Sequence, residues 1–85
     1  MQKIRQDARD NIGGNIRRLR HAAGLSQEAV TAKLQLMGCD MSRSVYSQIE
    51  CGTYNIRVKE LIALKNILHA EYSDFFEGLE NDTEA

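Results

Sequence analysis

The sequence predicts an all-α fold, a compact bundle of five helices, and three observations carry that reading. Apolar residues recur at spacings of three and four nearly everywhere, and no segment alternates with the period of two that a half-buried strand needs. Serines and glycines punctuate these runs where helices should start and stop. With 85 residues, no proline and 42% hydrophobic residues, the chain suits one domain with one core and does not resemble a disordered or collagen-like polymer.

Taking the elements in order, Ile12, Ile16 and Leu19 line one side of a first helix that runs to about Ala23, where Gly24 ends it as a left-handed cap. Upstream, Gly13-Gly14 costs roughly 1 kcal/mol per glycine in a helix interior, so the residues before Asn11 are expected to form a flexible or separately helical arm. Ser26 caps a second helix that buries Ala29, Val30 and Leu34. The stretch from Gln35 to Met41, with Gly38 and Asp40, interrupts the pattern, and Ser42 is the natural cap of a third helix closed by Gly52. A fourth helix spans about Val58 to Leu68, with Val58, Leu61, Ile62, Leu64 and Leu68 apolar. Ser73-Asp74 is expected to cap a short fifth helix carrying Phe75, Phe76 and Leu79. The organisation that follows is a basic N-terminal arm over 1–11, one helical domain over 12–79 and an acidic flexible tail over 80–85.

The net charge of −1 conceals a polarity. Residues 1–43 carry +4 and residues 44–85 carry −5, and from Glu71 onward six acidic residues appear with no basic one. An anionic end of that kind repels a phosphate backbone and must point away from any duplex. No apolar run approaches the ~18 residues of a membrane span, and the charged stretch from Met1 to Asn11 has no secretory hydrophobic region, so a cytoplasmic protein is expected. Cys39 and Cys51 lie twelve positions apart with no second Cys or His pair at ligand spacing, which reads as two reduced thiols and no metal. Neither His21 nor His69 stands near a nucleophile and an acid in a catalytic pattern, and Gly13-Gly14 alone is no phosphate loop. An enzyme is not expected, and neither a cofactor nor a small-molecule substrate is implied.

The informative segment is the third helix. Tyr46 and Ile49 fall inward at a spacing of three, while Arg43, Ser44, Ser47 and Gln48 fall around the outward side. Arginine can bridge guanine O6 and N7, glutamine can do the same for adenine N6 and N7, and serine serves several base edges. By composition alone the same side chains would also suit an ordinary solvated face.

Set in order along the chain, Ile16-Arg17-Arg18-Leu19-Arg20, Gly24-Leu25-Ser26-Gln27-Glu28, and Ser42-Arg43-Ser44 with Ile49-Glu50 and Gly52 resemble the phage-repressor and Cro type of helix-turn-helix regulators, also called the xenobiotic-response-element family. The resemblance covers roughly residues 12–79 and implies a lambda-repressor-like bundle that binds double-stranded DNA. It implies that the third helix lies in the major groove, with Arg43, Ser44, Ser47 and Gln48 at the base-reading positions. It further implies backbone contacts from Gln27, Ser42, Thr53, Tyr54 and Asn55, and an ion pair between Arg20 and Glu50 that ties helices together.

Three departures from the family pattern stand out. Gln35 occupies the place of a glycine and Leu36 to Met41 lengthen the connection by about five residues, which loop-closure entropy tolerates. Thr31 stands where a small alanine is preferred. Arg57 stands where a capping Ser or Thr is usual, which leaves the first donors of the fourth helix open to solvent or phosphate. The function expected is a sequence-specific transcription regulator, a repressor acting as a homodimer on half-sites about 34 Å apart; Phe75, Phe76 and Leu79 are more often core than interface in so short a chain, and whatever part of them stays exposed is the expected pairing patch. The alternative is a protein-interaction module on the same fold, antitoxin-like or a regulator's partner, which the near-neutral charge would suit.

Overall fold

The computed structural model describes residues 3–4 and 11–79. The remainder of the arm, 1–2 and 5–10, and the tail, 80–85, lie outside the described residues, and so do most of the expectations placed on them. The elements in chain order are β1 (Lys3–Ile4), α1 (Gly13–Ala22), α2 (Gln27–Leu36), α3 (Arg43–Cys51), β2 (Ile56–Arg57), α4 (Val58–Leu68) and α5 (Tyr72–Phe75).

All five helices are present, and each start has a local cause. Ser26 Oγ accepts from Ala29 N–H at 3.0 Å and Ser42 Oγ accepts from Val45 N–H at 3.1 Å, caps worth about 1 kcal/mol each. At the other end of α1, Gly24 is left-handed, and bonds from Leu25 N–H to Arg20 O and from Gly24 N–H to His21 O complete a Schellman closure. The fifth helix begins two residues earlier than a Ser73 cap suggested. Glu71 is its cap residue, and its N–H donates to Asp74 Oδ2 at 2.9 Å.

The expectation of no strands needs a small correction. Lys3–Ile4 pair antiparallel with Ile56–Arg57, Lys3 opposite Arg57 and Ile4 opposite Ile56. This ribbon fastens part of the arm beside the start of α4, so these two residues are neither helical nor a loose leader. Two residues are too few to show a period in a sequence.

Gly13 is explained by packing. A side chain there would bring its Cβ within 3.0 Å of the Ile49 and Glu50 carbonyl oxygens, so the bare backbone lets the first turn of α1 press against the end of α3. Gly14 meets nothing within 4 Å. The pair therefore opens α1 instead of separating it from an upstream helix, and Asn11 Oδ1 accepts from Gly13 N–H at 3.0 Å.

The long connection between α2 and α3 is a second correction. Gln35 does not break α2, which continues to Leu36 and is closed by left-handed Gly38 through Cys39 N–H to Leu34 O and Gly38 N–H to Gln35 O. The loop that follows is braced. Gln35 Nε2 donates to Met41 O at 2.9 Å, Lys59 Nζ donates to Gly38 O at 3.3 Å, and Cys39 and Met41 are buried. Thr31, buried, satisfies its hydroxyl within α2 by donating to Gln27 O at 2.8 Å, so it packs where alanine would.

The core gathers Ile16, Val30, Leu34, Tyr46, Ile49, Ile56, Leu64 and Phe75, each fully enclosed, and burial of side chains of this size is worth about 1.5–3 kcal/mol each. Within it α3 packs against both α1 and α2, α4 packs against α2, and α5 closes onto α1. Ala29, expected in the core, is only half-buried. Of the apolar residues of α4, Val58 and Ile62 turn to solvent while Leu61 and Leu64 face the core. Among the described residues no helix is long and apolar enough to cross a membrane.

Candidate nucleic-acid interface

The Ser42 cap sets the phase of α3, placing Arg43 and Ser44 in its first turn and Ser47 and Gln48 one turn on. Tyr46 and Ile49 occupy the opposite side and are enclosed, so the polar edge cannot turn inward. Arg43, Ser44 and Gln48 are exposed and Ser47 is half-buried. Arg43, Ser44 and Ser47 line one open concavity together with Gln27 from the first turn of α2. A second concavity adjoins it through Gln27 and Ser47 and is walled by Arg17, Arg20, Glu50 and Cys51. Three of the four base-reading positions implied by the resemblance thus meet in one concavity with Gln27, while Gln48 is exposed but lines neither concavity.

Behind that edge stands a buried polar cluster centred on Glu50. Arg20 Nε meets Glu50 Oε2 at 2.6 Å and Arg20 Nη2 meets Glu50 Oε1 at 3.1 Å, the two-pronged geometry that guanidinium and carboxylate favour. Tyr46 Oη donates to Glu50 Oε2 at 2.6 Å and Gln27 Nε2 donates to Oε1 at 3.1 Å. Burial pushes the Glu50 carboxyl up, but the hydrogen bonds from Arg20, Tyr46 and Gln27 outweigh it and hold the group below its ordinary value. The hydrogen bond to Glu50 raises Arg20, while burial and then the same carboxylate raise Tyr46, so the pair is charged and the phenol neutral. The remaining Arg20 donor, Nη1, reaches Leu25 O at 2.9 Å. One carboxylate therefore joins α1, the start of α2 and α3, and the ion pair expected from the resemblance is in place.

The positions implied as phosphate contacts divide. Ser42 is exposed at the start of α3, with its oxygen accepting the cap bond and its proton left to donate. Thr53 and Asn55 are exposed in the loop after α3, where Thr53 N–H and Oγ1 both donate to Gln48 O, at 3.0 and 3.3 Å. Gln27 has one amide proton committed to Glu50 and its other polar atoms toward the concavity. Tyr54 is different. It is half-buried against the core and its hydroxyl donates to buried Glu60 at 3.1 Å, so its side chain braces the loop. Glu60 also accepts Arg57 N–H at 2.9 Å, so the helix start that Arg57 was expected to leave open has one of its donors filled from within. No local sequence signal marked Glu60 as buried.

Of Phe75, Phe76 and Leu79, whose exposed remainder was expected to form the pairing patch, one is withdrawn into the core and two keep part of their surface. Phe75 is fully enclosed, and Phe76 and Leu79 are partly buried against the same core. Asn15 Nδ2 holds this end by donating to Phe75 O and Glu77 O, both at 2.9 Å. The large apolar side chains most open to solvent are Leu36, Met37, Val58 and Ile62, with Tyr72 at the start of α5.

A buried carboxylate clamp behind a short reading helix, preceded by a cross-braced helix pair, is the arrangement of a helix-turn-helix domain. The model of the helix-turn-helix domain family matches residues 11–73, and the chain belongs to that family. Its phage-repressor and Cro-type character, read above from the residues, is borne out, and the protein is a DNA-binding regulator. Among solved structures, the restriction-modification controller protein C.AhdI from Aeromonas hydrophila is 34% identical, with a TM-score of 0.62 over 76% of this chain and 91% of that one. A transcriptional regulator of the HTH_3 family from Vibrio cholerae is 31% identical with a TM-score of 0.63, covering 88% of this chain and 38% of that one. A point mutant of the restriction-modification controller protein C.Esp1396I shares the fold at a TM-score of 0.67 and 23% identity, over 93% of this chain and 94% of that one. No curated protein matches the chain.

Proposed function

We propose that the protein is a cytoplasmic, non-catalytic repressor that reads an operator through the major groove with α3. The observation that carries this is the placement of Arg43, Ser44 and Ser47 with Gln27 along one open concavity, while the other side of α3 is locked into the core. In that pose Arg43 and Gln48 supply bidentate readout of guanine and adenine, each worth on the order of 1–3 kcal/mol of discrimination, and the two serines refine it. Gln27, Ser42, Thr53 and Asn55 serve the flanking phosphates, with the open N–H groups at the starts of α2 and α3 adding partial positive charge.

The protein acts as a homodimer in this reading, because one small domain with few free cations gains affinity by pairing two half-sites. The seam is the stripe Val58, Ile62 and Asn66, spaced by four along α4 and bordered at Asn66 by Leu36 and Met37. The likeness to C.AhdI supports a narrower role as controller of a restriction-modification system, which a selected operator lying upstream of such genes would substantiate.

Selection of bound sequences from a random duplex pool tests the core of the proposal. Wild type should enrich one pseudo-palindromic site, and Arg43→Ala and Gln48→Ala should relax single positions of it without lowering the melting temperature. An unchanged preferred sequence in both variants would refute the reading role of α3.

A further inference from the structure

We infer that Arg17, on α1, is a phosphate-gripping residue of the DNA interface, seated beside the reading helix. The inference rests on the operator-reading proposal and adds a contact from a helix that was assigned none.

Placement comes first. Arg17 walls the concavity that also holds Gln27, Ser47 and Cys51, and this concavity adjoins the one lined by Arg43. Arg17 precedes Arg20 by three positions, so the two share a face of α1, the face that meets α3. Arg20 is drawn beneath the surface by Glu50, whereas Arg17 stays exposed above the same cluster. Its neighbour Arg18 turns to a different side, where its Nη2 binds Glu77 Oε1 and Asn15 Oδ1, both at 3.1 Å.

The distribution of cations is the second observation. Arg20 is neutralised by Glu50, Arg18 by Glu77, Lys59 donates to the Gly38 carbonyl and Lys65 lies 5.4 Å from the centre of the Tyr72 ring. Among the arginines that line the two concavities, Arg17 and Arg43 are the ones left without an ion pair or hydrogen bond among the described residues. Arg43 belongs to α3 and reaches base edges. Arg17 stands on the helix alongside and outside the groove, where a duplex presents its backbone. A guanidinium has the planar fork that binds two phosphate oxygens together. In a chain of net charge −1, attraction to DNA must come from cations gathered at the interface, and Arg17 joins Arg43 there.

The test is the salt dependence of binding, read by fluorescence anisotropy on the selected operator and on a scrambled duplex of equal length. Wild type should bind with a steep slope of log K against log salt, and Arg17→Ala should lower that slope by about 0.9 per protomer, the value of one neutralised phosphate, or about 1.8 for the dimer, equally on both duplexes. Arg17→Lys should restore most of the slope, and Arg18→Ala should leave it unchanged. An Arg17→Ala slope equal to wild type overturns the assignment, and so does a loss confined to the operator, which would mean base readout. Absence of any salt-dependent binding by wild type would instead defeat the operator-reading proposal, and this contact with it.

Discussion

Removal of the Arg20 guanidinium gives the sharpest contrast in the molecule, because a second arginine on the same helix provides an internal control. Arg20→Ala leaves the Glu50 carboxylate, 4% exposed, with only Tyr46 and Gln27 as partners. An uncompensated buried charge of this kind costs about 3–5 kcal/mol. A domain of 85 residues has roughly 4–13 kcal/mol of stability in total, at about 0.05–0.15 kcal/mol per residue. Arg18→Ala breaks an ion pair of similar length, 3.1 Å, whose side chains are 53% and 67% exposed, and such pairs contribute about 0–1 kcal/mol. Urea unfolding followed by circular dichroism separates the two. With a slope of about 1.5 kcal/mol/M, Arg20→Ala should lower the midpoint by roughly 2–3 M or prevent folding, and Arg18→Ala by less than about 0.7 M. Midpoints for the two variants within about 0.5 M of each other, on the scale of that slope, would refute the claim that burial decides the worth of these pairs.

Acid should expose the same cluster. Glu50 is held below its ordinary value, so its contribution is full above the unfolded-state pKa of about 4.3 and is lost as pH falls through the lower folded-state value; the melting-temperature gap between wild type and Glu50→Gln should therefore narrow from about pH 7 to about pH 3. Gly13→Ala should destabilise by about 1–3 kcal/mol, because its methyl group meets backbone carbonyls of α3, whereas Gly14→Ala should stabilise by about 0.5–1 kcal/mol; thermal melts giving both the same sign would contradict the packing account. His69 ends α4 with φ of 54°, a conformation that costs an L-residue roughly 1–2 kcal/mol, so His69→Gly should raise the melting temperature by about 4–8 °C per kcal/mol recovered, and a drop would show that its side chain matters more than its backbone. Ile62→Glu should yield a monomer in sedimentation with the fold intact; a dimer that persists would move the seam away from α4.

Much of this fold was legible because its signals are local. Ser26 and Ser42 announce helix starts through their own hydroxyls, and Gly24 and Gly52 announce helix ends through a backbone conformation that suits glycine. The outward edge of α3 was legible because Tyr46 and Ile49 fix its phase. What stayed hidden depends on distant partners. Gln35 reads as a break, yet it continues α2 and ties down Met41, a bond visible only once the loop has folded back. In α4 apolar residues occur all round, so nothing local says that Leu61 and Leu64 are covered while Val58 and Ile62 are not. How far Phe75, Phe76 and Leu79 sink into the core depends on Asn15 on α1, which holds the Phe75 and Glu77 carbonyls from sixty residues away. Arg17 and Arg18 are interchangeable as letters, and Asn15 and the distant Glu77, the partners of Arg18, distinguish them.

The Glu50 cluster lies behind α3, and Arg43, Ser44 and Gln48 make no contact with its carboxylate. The residues that hold α3 in place are thereby separate from the residues proposed to read bases. Substitutions at those outer positions should therefore leave folding intact, whereas loss of Arg20, Tyr46 or Glu50 leaves a buried polar group without its partner.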